Sequence, residues 1–164
     1  MKPLIIIIVY FIFFANIDIA EVRHLYKQAD VSQQNASELQ YKLVDITKSD
    51  DKVLVAYKGA VTSMIAKYQK GAKLKKEFFK NGVSLLEFAI SSEPDNIEIR
   101  FVRLSVQQNS PKFLKYNKEI EEDKKFILNY FDQIGSSKLQ TYIKDYILHS
   151  NNFTEEEKNV ISQL

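Results

Sequence analysis

The chain has 164 residues, 45% of them hydrophobic and 12% aromatic, enough for one domain with a packed core and unlike a disordered or low-complexity polymer. Lys plus Arg is 23 against 21 Asp plus Glu, and a net charge of +2 is too small to call for nucleic acid or an anionic membrane as partner. With no cysteine there is no disulfide, no thiolate metal site and no cysteine nucleophile, so stability has to come from packing.

The first segment reads as an address. Lys2 supplies a positive start, and Leu4 to Phe14 is an unbroken apolar run with four consecutive isoleucines, the pattern of a secretory signal. A spanning helix needs roughly 20 apolar residues, and Asn16 and Asp18 interrupt the run first. Residues 1–20 are therefore expected to be a signal peptide and residues 21–164 a single all-helical domain, with an uncleaved membrane anchor as the competing reading. A cut after Ala20 puts Asp18, and a cut after Ala15 puts Phe13, where a small residue is preferred, so the sequence leaves the mature start open. No cysteine follows the run, which argues against a lipoprotein anchor. Export through the inner membrane, to the periplasm or the extracellular space, is the expected destination.

Beyond residue 20 the apolar spacing is helical throughout. Ser37 with Gln40 fits a capping box ahead of a helix carrying Leu39, Leu43, Val44 and Ile46. Asp50 and Asp51 open a longer helix whose Val53, Tyr57, Ala60, Val61, Met64 and Tyr68 share one face, ending near Gly71. From Ala72 to about Ser91 the apolar arc, from Leu74 through Phe79 and Leu86 to Ile90, is wide enough to predict burial on two sides. Pro94 ends that helix, and Asp95 with Glu98 predicts a capping box for the next. There Ile97, Phe101 and Leu104 oppose Ile99, Val102 and Val106, so this helix is expected at the centre of the fold. Ser110 and Pro111 break the chain, and a turn bearing Phe113, Leu114 and Tyr116 leads to a helix with Ile120, Ile127, Phe131 and Ile134 in register, closed by Gly135. Ser137 with Gln140, and Thr154 with Glu157, predict caps for two last helices.

A shift of 44 residues lays Asp51, Val53, Val55 and Tyr57 onto Asp95, Ile97, Ile99 and Phe101, implying two helix pairs of similar design. The stretch Gly82, Leu86, Ala89, Pro94, Asp95, Asn96 resembles the second half of a tetratricopeptide unit, over little more than one unit. The repeat is longer than that family's, its Pro turn occurs once, and the first-helix positions match poorly. The whole chain is also similar to short exported helical proteins of Gram-negative bacteria that have no assigned activity. The fold class expected is all-α, with antiparallel helix pairs forming either a tetratricopeptide-like short solenoid or an irregular helical bundle. The solenoid reading implies a protein or peptide held in a concave groove.

Chemistry-bearing constellations are sparse. His24 and His149 each lack a second histidine or a metal-spaced carboxylate, and the four glycines form no phosphate cradle, so no catalytic, cofactor-binding or metal site is assigned. Acid runs such as Glu121 with Glu122 or Glu155 to Glu157 resemble a glycan-cleaving pair only in composition, and the second fits a helix first turn. Arginine is more informative. Positive charge is written almost entirely as lysine, yet Arg100 and Arg103 sit one turn apart on the expected central helix, in a polar stripe with Gln107. They are candidates either for pairing with carboxylates such as Glu87 or Asp123 or for holding a ligand carboxylate or phosphate. Lys67, Lys70, Lys73, Lys75, Lys76 and Lys80 form a basic stretch opposed only by Glu77, read as a solvated face or as a dock for an anionic partner such as lipid headgroups.

The expected function is that of a non-enzymatic exported helical module binding a protein or peptide, with no cofactor and no nucleic acid. A membrane- or envelope-associated module using the Lys67 to Lys80 stretch is the alternative, and an enzyme of unrecognised class comes after it.

Overall fold

Most helices start where a side chain takes up their first free amide groups; the two that begin at Ala72 and Ile120 have no such cap. The computed structural model describes residues 17–164; the n-region and apolar run of the expected export segment lie outside the described residues. Eight α-helices and no strand occur among the described residues: α1 (Ile19–Ala29), α2 (Gln33–Lys42), α3 (Lys52–Ile65), α4 (Ala72–Ser92), α5 (Ile97–Asn109), α6 (Ile120–Tyr130), α7 (Ser137–His149) and α8 (Glu155–Gln163). Short 3₁₀ turns follow α3, α5 and α6. The protein is thus all-α. No helix among the described residues is long and apolar enough to cross a membrane.

The Asp51 carboxylate accepts from the amides of Val53 and Leu54 at 2.8 and 3.2 Å and opens α3. Thr154 and Glu157 close a reciprocal capping box on α8. Other boundaries differ from the sequence reading. α1 was not anticipated, and Asp18 caps it, so Ile19 and Ala20 form its first turn. α2 starts at Ser32, which is extended and accepts from Asn35, leaving Ser37 inside the helix and Leu43, Val44 and Ile46 beyond its end. α3 stops at Ile65 and passes into a 3₁₀ turn, short of Gly71. Ser136 rather than Ser137 caps α7. Asn96, not Asp95, caps α5: its side chain accepts from Glu98 and Ile99, while the Glu98 carboxylate is drawn inward and cannot complete a box.

Consecutive helices pack in pairs, α1 with α2, α3 with α4, α5 with α6 and α7 with α8; α1 and α2 both touch α3, and α3 and α4 both touch α5. The closest crossing is between α3 and α4. There Gly59 faces Gly82, and a Cβ added at Gly82 would lie 2.4 Å from the Gly59 carbonyl oxygen. Only glycine lets the two backbones approach this far. α4 buries a single stripe, Phe79, Gly82, Leu86, Ala89 and Ile90, rather than two sides. Phe88 is half-buried instead, its ring under the Lys48 ammonium at 4.7 Å. Every residue of α5 from Glu98 to Gln107 is buried, which makes it the central rod. One apolar cluster runs from Val22 through Phe101 to Ile161 and ties all the pairs together.

Candidate functional site

Two polar clusters and one groove meet at α5. On its α6 side, Arg103 forks onto Asp123, with Nε to Oδ2 and Nη2 to Oδ1 both at 2.7 Å, and Arg100 reaches the same carboxylate at 3.0 Å. Arg100 also donates to Glu122 at 2.8 Å and to the Pro94 carbonyl at 2.6 Å, and lies over the Phe126 ring. Arg103 extends to Glu87 at 3.4 Å, and Glu87 in turn accepts from the Tyr116 hydroxyl at 2.5 Å. Burial pulls the Arg103 guanidinium down, but the hydrogen bonds and charge of Asp123 outweigh it and hold it above its ordinary value. Gln107, one turn on, donates to Glu119 at 2.8 Å, and its carbonyl oxygen is buried without a partner among the described residues. The polar stripe of Arg100, Arg103 and Gln107 is therefore covered by α6 and the segment before it, and its charges are met by the protein's own carboxylates.

On the opposite side of α5, Arg23 of α1 forks onto Glu98 at 2.7 and 2.6 Å, and the Tyr57 hydroxyl donates to the same carboxylate at 2.9 Å. The Arg23 guanidinium is raised above its ordinary value, first by the hydrogen bond to Glu98. Beside it Tyr26 shares a 2.7 Å hydrogen bond with Ser105, and burial pushes the Tyr26 hydroxyl well up. This second cluster was missed by sequence reasoning, although the signal existed. The chain has only three arginines, at 23, 100 and 103, and all three lie in forked or shared pairs with buried carboxylates.

Next to that cluster lies a groove of about 1170 Å³. Its walls are single helix faces at three- and four-residue spacing: Tyr26, Lys27 and Asp30 from α1, Ala60, Ser63 and Met64 from α3, and Ala72, Lys75, Lys76 and Phe79 from α4. α5 contributes Phe101, Ser105, Val106 and Asn109, and α7 contributes Tyr142, Asp145, Tyr146 and His149. The space exists because the floor is built of small residues, Ala60, Ser63, Ala66 and Ser105, where bulkier side chains would fill it. Phe101 meets Tyr142 and Tyr146 edge-on at 5.3 and 5.1 Å, which fixes α7 as the far wall. Phe113, on the 3₁₀ turn after α5, stands at the lip and is 79% exposed.

Charges on the rim pair off unevenly. Lys67 binds Asp30 at 2.6 Å, and Lys27 pairs with Asp145, whose carboxyl the Lys27 ammonium holds below its ordinary value. His149 lies 3.3 Å from the same carboxylate, while His24 shares a 3.2 Å hydrogen bond with Gln28. Lys75 and Lys76 have no carboxylate partner among the described residues. The six lysines of the basic stretch are all exposed but do not form one face. Lys75 and Lys76 point with Ala72 and Phe79 into the groove, whereas Lys73 and Lys80 lie roughly a quarter turn further round α4. Lys70 sits in the turn before α4 and, like Lys73 and Lys80, does not line the groove. None of Arg100, Arg103 and Gln107 lines it either. Among the described residues no three His, Asp or Glu side chains are grouped to hold a metal ion.

Comparison of the chain with protein-family models, with curated proteins and with solved structures finds no match.

Proposed function

We propose that this chain is a non-enzymatic, exported helical module that acts by holding a segment of another protein in the groove between α1, α3, α4, α5 and α7. The observation that carries the reading is the groove itself. At about 1170 Å³ it is larger than most small-molecule sites, which run to roughly 1,000 Å³. Its lining is mainly apolar, small residues on the floor and aromatic ones on the walls, with Phe113 exposed at the lip as an anchor for a partner. The acids of the groove, Asp30 and Asp145, are each engaged with a lysine.

The membrane-binding alternative has less behind it. A headgroup-binding patch needs its lysines on one accessible plane, and this stretch is divided between the groove, the Asp30 ion pair and the outer side of α4.

Photo-crosslinking from defined positions tests the proposal. A crosslinking residue at Met64 or Phe113, in the groove, is expected to capture a protein partner in the native envelope fraction that the same residue at Lys73 or Glu38, outside it, does not. Equal capture from both sets, or capture only from outside, refutes the groove as the binding site.

A further inference from the structure

We infer that the occupant of this groove is an acidic amphipathic helix of roughly ten residues, its apolar stripe on the floor and its carboxylates on Lys75 and Lys76. The inference rests on the groove being a protein-binding site and adds the chemistry of the partner. Three features support it.

The first is charge. Four lysines and two aspartates lie around the groove, and Lys27 and Lys67 are matched by Asp145 and Asp30. The positive excess falls on Lys75 and Lys76, adjacent on the groove-facing side of α4 and one turn from the aromatic wall at Phe79. A partner that buries its apolar side against Phe79 and Met64 brings the flank of that side within reach of both ammonium groups, and carboxylates there are complementary.

The second is the backbone. Most of the lining is α-helix, whose amide and carbonyl groups are already bonded within each helix, and no sheet edge is offered to an extended peptide. An extended segment would find polar partners mainly at one side, along residues 110–114 and 150–152 and at Asn109, whereas a helix brings its own N–H and C=O groups satisfied.

The third is size. A helix is about 10 Å across with a 1.5 Å rise, and a groove of about 1170 Å³ has room for a helical segment on the order of ten residues to lie along it. Anchors at i, i+3 or i+4, and i+7 fit within that length.

A display selection of random peptides against the full chain tests this, with Met64→Arg and, as a surface change that leaves the core alone, Phe113→Ser as groove-blocked controls. Peptides that bind the wild-type chain and not the blocked variants are expected to carry apolar residues at helical spacing and at least two flanking Asp or Glu. Their affinity is expected to fall about tenfold or more on Lys75→Glu/Lys76→Glu, to recover there when the peptide acids are replaced by lysine, and to weaken with salt. Groove-dependent peptides without acids, or acidic ones indifferent to the double reversal, overturn the acidic helix and leave the groove standing as a binding site. If no peptide depends on Met64 and Phe113, both readings fall. Salt-sensitive binding to phosphatidylglycerol vesicles that survives both blocks would assign the lysines to a membrane instead.

Discussion

Asp123→Ala removes the acceptor shared by two arginines. Asp123 has no exposed surface, and the side chains of Arg103 and Arg100 are 6% and 11% exposed, so water cannot replace the lost oxygens without opening the α5–α6 contact. Three charge-assisted bonds disappear, at 2.7, 2.7 and 3.0 Å. Glu122 still holds Arg100, but Arg103 keeps only the 3.4 Å contact to Glu87. Removing one partner of a buried pair costs about 3–5 kcal/mol because the other charge is stranded. That is a large share of the roughly 5–15 kcal/mol that holds a domain together. With a urea dependence of about 2 kcal/mol per molar, the unfolding midpoint followed by circular dichroism should drop by about 1.5–2.5 M. Combining Asp123→Ala with Arg103→Met should recover part of the loss, since the stranded charge is gone, giving a coupling of about 1–3 kcal/mol in a double-mutant cycle. A loss below about 1 kcal/mol for Asp123→Ala, or strict additivity, would mean that this cluster does not fasten α5 to α6.

Other outcomes follow from the same contacts. Gly82→Ala should destabilise by about 1–3 kcal/mol although alanine is the better helix former, because its Cβ would meet Gly59 and Ser63; Gly135→Ala, with open space around it, should be neutral in the same urea unfolding. Arg100 holds the Glu122 carboxyl below its ordinary 4.5. Glu157 is pushed up by partial burial but pulled down further by the Thr154 amide and Lys124. Above 4.5 both are ionised folded and unfolded and their contribution is complete; as pH falls the unfolded chain takes up protons first, and the contribution is lost through the lower folded values. Urea midpoints measured between about pH 3 and 6 should therefore fall less steeply for Glu122→Gln/Glu157→Gln than for the wild type. Finally, Asp18 caps α1, and Ile17 and Ile19 pack on the core, so a chain starting at Asn16 keeps contacts that one starting at Glu21 loses. The chain starting at Glu21 is expected to be less stable to urea by about 1 kcal/mol for the cap alone, and equal midpoints would refute this.

Much of the helix layout is local and was legible. Asp51, the Thr154–Glu157 box, the Ala72 start of α4 and the Pro94 break act within four residues of chain, and the spacing of Ile99, Val102 and Val106 against Phe101 and Leu104 marked α5 as central. Two of the misses share a cause, a side chain taken by a distant partner. Glu98 looks like the third residue of a capping box, but Arg23, 75 residues away in the chain, and Tyr57 claim its carboxylate, and the cap passes to Asn96. α1 carries only a short polar-interrupted apolar pattern, and what orders it is Arg23 on Glu98 and Tyr26 on Ser105, contacts that no window along the chain contains.

The groove was illegible for a deeper reason. Each wall taken alone is an ordinary amphipathic face, and Tyr142 with Tyr146 or Phe79 with Ala72 reads as core. Concavity comes from the way small residues fall together: Ala60 and Ser63 on α3 meet Ser105 on α5, so two packed helices present a floor with little side-chain bulk above it. The Gly59–Gly82 crossing draws α4 close against α3 at that level and holds its first two turns, with Lys75 and Lys76, along the open side. The same lysines in a sequence are a charged run among other charged runs. Their meaning depends on Lys67 being claimed by Asp30, 37 residues earlier, and on Lys75 and Lys76 being left beside an apolar floor with no acid of their own. An excess of charge at the edge of a space is a property of the assembled helices, and it is this excess that gives the groove a preferred partner.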